Sequence, residues 1–263
     1  MPHGLRETTL FDQSNTHREL VSNPALCEPF LNGRQTGRLL HDLGAMISLL
    51  NPEMLSRPIL DFGAGSCWIT ESIAKMGYQV TAFDIHTDLA GCIEGRVNAD
   101  ARIDPSLINY KTGDGHAMPF ASDSFGHVLC YDTLHHMHDY GKVFSEFNRV
   151  LQLGGRAVFV EPGARHSQSP ETIEFLKLKA HDSTWIERDV VLEEINKCVT
   201  LAGFSDLMVV PVQHPMAPST FTLRNWSKFR RGNLRLRLGF ARKIAVVNYD
   251  QRVVFYCDKP TAP

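Results

Sequence analysis

The chain has 263 residues, 43% of them hydrophobic, and a formal net charge of −2 at pH 7. It can build a core of ordinary size, and a charge this close to zero argues against long-range attraction to nucleic acid. The six scattered cysteines form no Cys-x-x-Cys pair, which argues against a disulfide or zinc framework. With no signal-peptide pattern and no apolar run of bilayer length, we expect a soluble, cytoplasmic protein.

Residues 1–56 precede the first predicted strand, and we expect them to form an N-terminal helical cap. Apolar residues recur there at helical spacing between Cys27 and Leu50. Such a helix could lie over a ligand cleft or simply pack on the sheet. Residues 57–263 are predicted to form one α/β domain with a basic insertion at about 221–243, between its last two strands.

The segment Pro58–Asp84 predicts a nucleotide-binding half-fold: strand, glycine turn, helix, strand, acid. Gly63 and Gly65 allow the backbone to turn sharply and to approach a ligand closely. The acid that ends the second strand is placed to accept hydrogen bonds from ribose hydroxyls. The dinucleotide fingerprint requires a third glycine where this chain has Trp68, so a nicotinamide cofactor is disfavoured.

The same stretch resembles motif I of the class I S-adenosylmethionine-dependent methyltransferases, which reads apolar-apolar-Asp/Glu-apolar-Gly-x-Gly-x-Gly. Asp61 is the acid of this motif, and Cys67 replaces its last glycine. The resemblance implies that Gly63, Ala64 and Gly65 contact S-adenosylmethionine and that Asp61 lies near its methionine amino group. An acid at this position suits a ligand with an amino group and would repel a pyrophosphate.

A third strand, Asn109–Thr112, precedes the acid that in this family binds the adenine amino group, and Asp114 matches that position. The link Pro119–Val128 resembles the "P-F-x-D-x-S-F-D" link of the small-molecule, methyltransferase type 11-like branch. Gly126 and His127 stand here in place of its final acid. The resemblance places further cofactor contacts around the ribose and the adenine, at Asp84, Ile85, Asp114, Gly115, His116 and Tyr131.

Strand four, Val128–Tyr131, leads into Asp132–His138, and the stretch from Tyr131 to His138 should line the cleft beyond the carboxyl edge of the sheet. The sequence "Leu-His-His" also matches this branch of the family. We predict that His135 or His136 either acts as a general base or shapes the pocket. We predict no metal site, because neighbouring histidines on one turn rarely converge and no cysteine or carboxylate cluster completes a ligand set.

An amphipathic helix at Tyr140–Leu151 is followed by a glycine turn and a fifth strand at Ala157–Val160. We expect the polar loop after it to carry Glu161 and His166, each of which could bind the acceptor or take its proton. The loop could equally be a surface loop without such a role. The last predicted elements are a helix at Val190–Gly203 and strands around Asp206–Val212 and Val246–Cys257.

Eight cations and no acid lie between Phe221 and Lys243, interleaved with aromatic residues and leucines. Arginine suits phosphate through its forked geometry, so we interpret this segment as a surface that recognises a phosphate-bearing acceptor, such as a nucleotide-linked or lipid-linked sugar. Peripheral contact with a membrane, a solvated helix face and a homodimer contact are the alternatives. The cations are Arg224, Lys228, Arg230, Arg231, Arg235, Arg237, Arg242 and Lys243.

The resemblance implies a Rossmann-like sheet of seven mostly parallel strands with the last one antiparallel, and helices on both faces. It also implies methyl transfer from S-adenosylmethionine to a small molecule. We favour a hydroxyl acceptor because the histidines and Glu161 offer bases. The chain lacks the Asn/Asp-Pro-Pro-aromatic motif of base methylation, which argues against a nucleic acid substrate. Two alternative hypotheses for the function are a non-catalytic, cofactor-binding partner subunit and a nicotinamide-dependent oxidoreductase.

Overall fold

A single seven-stranded sheet organises the part of the chain that this computed structural model describes, namely residues 28–30, 33–85, 88–179, 186–213 and 218–261. The strands run β3-β2-β1-β4-β5-β7-β6 across the sheet. In chain order they are β1 (Ile59–Phe62), β2 (Val80–Asp84), β3 (Ile108–Thr112), β4 (Phe125–Tyr131), β5 (Leu151–Pro162), β6 (Met208–Val209) and β7 (Arg252–Asp258).

The described helices flank this sheet or connect its strands. They are α1 (Gly33–Ser48), α2 (Trp68–Lys75), α3 (Leu89–Ala99), α4 (Tyr140–Val150), α5 (Pro170–Leu178), α6 (Leu192–Leu201), α7 (Leu223–Arg230) and α8 (Leu234–Val246). Short 3-10 turns at Leu134–His136 and His166–Gln168 follow β4 and β5, and a π-helical turn at Val247–Gln251 precedes β7. No helix within these ranges combines the length and apolarity needed to cross a membrane.

The strand pairing confirms the mostly parallel sheet predicted from the sequence. Strands β1 to β5 pair in parallel, and β7 runs antiparallel to both of its neighbours, β5 and β6. Because β1 pairs with both β2 and β4, the strand order changes direction there. The loops that leave β1 and β4 therefore border a crevice at the carboxyl edge of the sheet, which is the usual ligand position in such sheets.

Alternation along β1 divides the core into two apolar layers. Leu60 and Phe62 face a layer rich in phenylalanine, in which Phe159 stacks on Phe255 from β7. Ile59 faces the opposite layer, which includes residues of α1 and α2. All four residues of β1 are buried, as expected for a central parallel strand covered on both faces.

The fifth strand is longer than the sequence pattern indicated. Residues 151–156 already belong to β5, and Gly154 adopts a positive φ of 78° inside the strand. The pairing of β4 with β5 shifts register between Phe125 and His127, so the glycines produce an irregularity in the strand and no turn. The prediction that Glu161 lies in a loop is wrong, because β5 continues through Pro162.

The predicted last strand also begins too early, because residues 246–251 are helical and β7 starts at Arg252. Within the predicted cap, α1 begins at Gly33, and Asp42 of α1 joins Arg252 of β7 through a hydrogen bond of 2.9 Å. The cap boundary at residue 56 stays a prediction. The part of the predicted cap that comprises residues 1–27, including the start of the helical pattern at Cys27, lies outside the described residues.

Candidate functional site

The glycine loop after β1 is held in place by both neighbouring strands. The amides of Gly63 and Ala64 donate to the carbonyl of Phe83 at 2.8 and 3.1 Å. Gly63 has a φ of 74°, and a Cβ atom there would stand 2.1 Å from the side chain of Thr133, just beyond β4. Only glycine fits at this position, because the chain leaving β4 packs directly against the loop.

The remaining loop geometry leaves room for a ligand. A Cβ atom added at Gly65 would approach only the carbonyl oxygen of Gly63, at 3.9 Å. Cys67 replaces the last motif glycine, yet its φ of 60° is in the left-handed region that glycine favours. Its side chain is fully buried, so the loop keeps a glycine-like conformation despite the substitution.

Asp61 lies in the middle of β1, and its side chain is turned toward α2. The carboxylate accepts a hydrogen bond of 2.6 Å from the Thr70 hydroxyl and is 2% exposed. Burial raises the pKa of Asp61 to about 7, although the hydrogen bonds from Thr70 oppose this effect. A ligand ammonium group nearby would favour the charged carboxylate, so this site fits a cationic amino group.

The acid that ends β2 is adjacent to the same loop, as the motif predicts. Asp84 accepts a hydrogen bond of 2.9 Å from the amide of Gly65. The next residue, Ile85, is 74% exposed. A carboxylate at the end of β2 and an exposed apolar side chain beside it are suited to the two hydroxyls and one face of a nucleoside.

The loop after β3 carries the third predicted cofactor acid. The Asp114 carboxylate accepts hydrogen bonds from the amide and the Nδ1 of His116 at 2.9 and 2.7 Å, which lower its pKa. The other ring nitrogen of His116 accepts from the amide of Asp139 at 3.2 Å. A Cβ atom added at Gly115 would meet Phe62 at 2.5 Å. The loop is therefore packed against β1 and tied to the chain that follows β4.

Tyr131 ends β4, and its hydroxyl donates to Asp42 of α1 at 3.2 Å. Two ion pairs continue this network, because Arg252 and Arg38 both bind the Asp132 carboxylate, at 2.5 and 3.1 Å. Burial alone would raise the pKa of Asp132, but the two arginines hold it below its ordinary value. The predicted cofactor residue Tyr131 is thus engaged with α1 and β7 through its polar end.

Glu161 and His135 form a buried carboxylate–imidazole pair. Oε2 of Glu161 lies 2.8 Å from Nδ1 of His135, while its Oε1 accepts from the amides of Thr133 and Leu134 at 2.9 and 2.8 Å. Glu161 is fully buried and His135 is 5% exposed. With its hydrogen-bonding capacity used within the protein, Glu161 orients His135 and does not face a cleft.

Glu187 connects the three predicted catalytic histidines. Its Oε2 lies 2.7 Å from Nε2 of His166 and 3.4 Å from Nε2 of His135, and its Oε1 lies 3.6 Å from Nδ1 of His136. The His135 ring centroid is 3.9 Å from that of His136 and 4.9 Å from that of His166. The structure therefore gathers Glu161 and all three histidines into one cluster.

The two adjacent histidines have opposite charge tendencies. Burial opposes the imidazolium of His135, but Glu161 and Glu187 on either side of the ring raise its pKa above the ordinary value. Burial and the neighbouring His135 lower the pKa of His136 to about 4. Its Nδ1 donates to the carbonyl of Ile186 at 2.8 Å, so the lone pair of the neutral ring is on Nε2.

This cluster also contains a possible cation site. His135, His136 and Glu187 offer three ligand atoms within 4.8 Å of one another. Nδ1 of His135 is hydrogen-bonded to Glu161, and Nδ1 of His136 is hydrogen-bonded to the Ile186 carbonyl. The expectation that the protein holds no metal stays a prediction. A proton network and a cation site are distinguishable by chelation, as described below.

Sequence reasoning found most of this site but missed its connecting residues. Glu187 and Arg252 belong to no motif that the sequence reveals, and Asp132 was predicted only as one residue of the stretch that lines the cleft. Asp132 has an unusual positive φ of 45°, which no local sequence pattern predicts. The only sequence signal for the pair Asp132–Arg252 was that each is a charged residue at a strand end, and the two are 120 positions apart.

The fold and the ordered acids define a Rossmann-like domain of the class I methyltransferase type. Residues 60–159 match the family model described as "Methyltransferase domain". The matched segment contains Asp61, Asp84, Asp114 and the two adjacent histidines. The sequence resemblance to this class is therefore confirmed.

Curated relatives match a similar part of the chain. Demethylmenaquinone methyltransferase of Thermobifida fusca is 31% identical over 105 residues, which is 39% of this chain and 42% of that protein. Ubiquinone biosynthesis O-methyltransferase of Xanthomonas oryzae pv. oryzae is 30% identical over 105 residues, 37% of this chain and 40% of that protein. The chain thus spans about two fifths of the length of these relatives.

Solved structures extend the similarity of fold to most of the chain. Phosphoethanolamine N-methyltransferase 2 of Haemonchus contortus, in complex with phosphomonomethylethanolamine and S-adenosylhomocysteine, has a TM-score of 0.60 at 20% identity and covers 97% of this chain and 60% of that one. Geranyl diphosphate C-methyltransferase of Streptomyces coelicolor has a TM-score of 0.59 at 16% identity and covers 91% of this chain and 86% of that one. At these identities the similarity concerns the fold alone.

Proposed function

We propose that this protein is an S-adenosylmethionine-dependent methyltransferase that methylates a hydroxyl group of a small molecule. The cofactor assignment is supported by three carboxylates near the carboxyl edge of the sheet. Asp61 lies in β1 just before the glycine loop, Asp84 ends β2, and Asp114 lies in the loop after β3. Asp61 would bind the methionine ammonium, Asp84 the ribose hydroxyls and Asp114 the adenine amino group. Gly63, Ala64 and Gly65 would run alongside the cofactor, with Ile85, Gly115 and His116 flanking the adenosine.

The observation that carries the acceptor proposal is the histidine–glutamate cluster beyond β4 and β5. Among its histidines, His136 combines a neutral ring at pH 7 with a side chain that is 25% exposed. Its Nδ1–H is held by the Ile186 carbonyl, which directs the basic lone pair to Nε2. His136 is therefore the proposed proton acceptor, and it requires no deprotonation before it can act.

His135, Glu161 and Glu187 are positioning residues in this proposal. A carboxylate on each side of the His135 ring stabilises the imidazolium, and burial together with this neighbouring charge keeps His136 neutral. Nε2 of His166 lies 2.7 Å from Oε2 of Glu187, the same oxygen that approaches His135, so His166 helps to hold Glu187 in place. His166 is 20% exposed through its side chain, so it could also contact the acceptor.

When bound, the cofactor supplies an electrophilic methyl group that leaves the sulfonium sulfur as a bond to the acceptor oxygen forms. The protein orients the hydroxyl in line with this carbon–sulfur bond and excludes water. The hydroxyl proton passes to Nε2 of His136, which becomes an imidazolium and returns the proton to solvent. Atoms and charge balance, because the sulfonium charge is replaced by the proton on His136.

Calorimetric titration with S-adenosylhomocysteine, and with NAD for comparison, tests the cofactor assignment. We expect micromolar binding of the former and its loss in Asp84→Ala, which removes the proposed ribose contact. Leu201→Gln, at an 87% exposed position far from the motif, is the matched control. Binding of NAD alone would contradict the assignment and favour an oxidoreductase.

Turnover of S-adenosylmethionine against a panel of phenolic and sugar hydroxyls tests the chemistry. We expect His136→Asn to lower kcat by about 10²–10⁴, the usual contribution of general-base catalysis. Arg102→Gln, at an 80% exposed position that precedes the amino end of β3, should leave kcat unchanged. Cofactor binding without turnover on any acceptor would favour a non-catalytic partner subunit, and loss of activity with a chelator would assign the cluster to a cation.

A further inference from the structure

Two helices between β6 and β7 form a compact hairpin, here defined as residues 221–246. The Thr222 side chain accepts from the amide of Asn225 and caps α7, and the Asn233 side chain accepts from the amide of Leu236 and caps α8. Gly232, with a φ of 89°, makes the turn between them. The guanidinium of Arg237 donates to the carbonyls of Phe229 and Arg230 at the end of α7. The hairpin is thus locally well determined.

The hairpin holds itself together through aromatic rings. Phe229 of α7 stacks on Trp226 at 5.5 Å and meets Phe240 of α8 at 5.6 Å, with Phe221 beside all three. Neither helix has a single buried residue. The aromatic faces of the two helices pack on each other, while Leu223, Leu234 and Leu238 are exposed on the remaining surface of the hairpin.

An apolar stripe runs along the outer face of α8. Leu234 and Leu238 are one turn apart and 67% and 59% exposed, and the exposed Ala241 and Ala245 continue the same face. From Leu234 to Ala245 this stripe is about 16 Å long. On α7, Leu223 is 80% exposed. Leucines this exposed on adjacent helices form an apolar patch of the kind that marks an interaction surface.

Cations surround this stripe. All eight lysines and arginines between residues 221 and 243 are exposed, and no acid occurs in this stretch. On a helical projection, Arg235 and Arg242 follow the stripe along one side and Arg237 lies on the other. An apolar stripe flanked by cations is the signature of a helix that lies in the headgroup layer of an anionic membrane.

We propose that the hairpin docks the protein onto an anionic bilayer surface, with Leu223, Leu234 and Leu238 entering the headgroup–acyl boundary and the arginines pairing with lipid phosphates. The hairpin lies at the same edge of the sheet as the candidate site. Residues 247–251, which follow α8, bind the end of β5, where Ala164 donates to the carbonyl of Tyr249 and Gly163 to that of Gln251. Docking therefore brings the cleft edge close to the membrane.

The distribution of the cations favours a surface over a compact ligand. Arg235 and Arg242 are seven residues apart on α8, about 10 Å along the helix, and α7 carries further cations. A soluble phosphate group would need several of them to converge on one point. A nucleic acid backbone would use the cations but gain nothing from the leucines between them. An anionic bilayer uses both the charge and the apolar stripe.

Flotation of the full chain with phosphatidylcholine vesicles, with or without phosphatidylglycerol, tests this proposal without any methyl transfer. We expect binding only to the anionic vesicles, weakening as salt is added. Arg235→Gln/Arg242→Gln should lower the partition coefficient about 30-fold, and Leu234→Gln/Leu238→Gln should lower it at least about 10-fold. These positions are exposed, so neither pair should disturb folding, which circular dichroism verifies.

Matched controls change the same residue types on other surfaces. Leu178→Gln/Leu201→Gln, at positions 50% and 87% exposed, and Lys142→Gln/Arg102→Gln should leave vesicle binding unchanged. Equal vesicle binding by the hairpin variants and the wild type would overturn the proposal. So would binding to RNA or to inorganic phosphate in place of vesicles, or a dimer in sedimentation that Leu234→Gln/Leu238→Gln dissolves.

Discussion

The charge of Asp61 depends on what lies beside it. The carboxyl group is buried against α2, and its pKa of about 7 leaves it divided between protonated and ionised forms near neutrality. A ligand ammonium group would stabilise the ionised form, and binding would then expel a proton. The same coupling makes ligand affinity rise with pH through neutrality.

Binding of S-adenosylhomocysteine at pH 7 should release about half a proton through Asp61. Calorimetry in two buffers of different ionisation enthalpy measures this quantity directly. Adenosine, which lacks the amino group, should release none, and Asp61→Asn should abolish the release. Proton release that persists unchanged in Asp61→Asn would mean that another group titrates.

The buried histidines should make the fold sensitive to acid. His127 is fully buried, its Nε2 accepts from the amide of Asn51 at 2.8 Å, and burial, together with the charge of Arg156, lowers its pKa to about 4. His136 has a pKa of about 4 as well. Both folded-state values lie below the unfolded value of about 6.5, so the unfolded chain binds more protons between pH 6.5 and 4.

Each of the two histidines should therefore lower the free energy of unfolding by about 1.4 kcal/mol per pH unit as pH decreases from about 6.5 to 4. Asp61, whose folded pKa of about 7 lies above its unfolded value of about 3.9, should offset one of them over the same range, which leaves a net slope of about 1.4 kcal/mol per pH unit from these three groups. Urea unfolding at a series of pH values measures this slope. His127→Gln keeps an acceptor for the Asn51 amide but does not titrate. The slope of the free energy of unfolding against pH should therefore be smaller in this variant by about 1.4 kcal/mol per pH unit, the contribution of one proton.

The pH dependence of turnover separates the two adjacent histidines. If His136 takes the acceptor proton, kcat should be constant between pH 6 and 8, because its pKa of about 4 keeps it neutral throughout. If His135 were the base, kcat would rise through a pKa above the ordinary histidine value. A rising profile would therefore reassign the proton transfer to His135.

Local motifs explain which functional residues the sequence could supply. Gly63, Asp61 and Asp84 were predicted because strand, turn and acid follow one another within 27 residues of chain. The role of Glu187 could not be predicted, because it comes from contacts with three histidines in two other segments of the chain. The protonation state of His136 was equally hidden, since its pKa depends on its own burial and on the charge of His135.

At the scale of secondary structure, β5 determines the chemistry of the site. Because β5 continues through Pro162, Glu161 has strand geometry and points into the core. Its carboxylate accepts there from the amides of Thr133 and Leu134, where the 3-10 turn after β4 begins. The sequence pattern ended this strand early, since Glu161 is a charged residue at the end of an apolar run. Burial of that carboxylate is possible only because the turn after β4 supplies its donors.

Replacement of Glu161 by glutamine should change the titration of His135. Glu161→Gln retains an oxygen for the Thr133 and Leu134 amides but removes the charge beside Nδ1. The pKa of His135 should therefore fall and that of His136 should rise, because the repelling imidazolium is lost. Histidine NMR of the free protein follows both rings, and unchanged values would show that Glu161 does not set the charge of His135.

Across the whole molecule, α1 is linked to the sheet by a buried ionic network. Arg252 of β7 binds Asp42 of α1 at 2.9 Å and Asp132 after β4 at 2.5 Å, and its side chain is 7% exposed. Arg38 approaches the second oxygen of Asp132. Removal of one partner leaves buried charge uncompensated, which usually costs about 3–5 kcal/mol.

Arg252→Leu should therefore lower the free energy of unfolding by about 3–5 kcal/mol in urea titrations. The double variant Arg252→Leu/Asp42→Leu should be less destabilised than the sum of its single variants, because it also removes one orphaned carboxylate. Arg102→Gln, an 80% exposed side chain in an ion pair, is the control and should change stability by less than about 1 kcal/mol. Simple additivity would show that the network is energetically uncoupled.

The general fold was predictable at this scale because the strands of the half-fold carry short, apolar and regular patterns. The hairpin was recognised only as a basic segment, since alternating arginines and leucines do not reveal two capped helices with an aromatic interior. The π-helical turn at Val247–Gln251 was read as strand because Val246 and Val247 favour that conformation. Contacts with the end of β5 override this preference.

The position of β7 has a consequence for how the protein is made. This strand follows β6 along the chain by about 40 residues, yet it lies between β5 and β6 in the sheet. During synthesis, β6 therefore emerges from the ribosome before the strand that it pairs with exists. Until β7 arrives, the edge of β5 and the apolar face of Phe159 are open to chaperones or to neighbouring nascent chains.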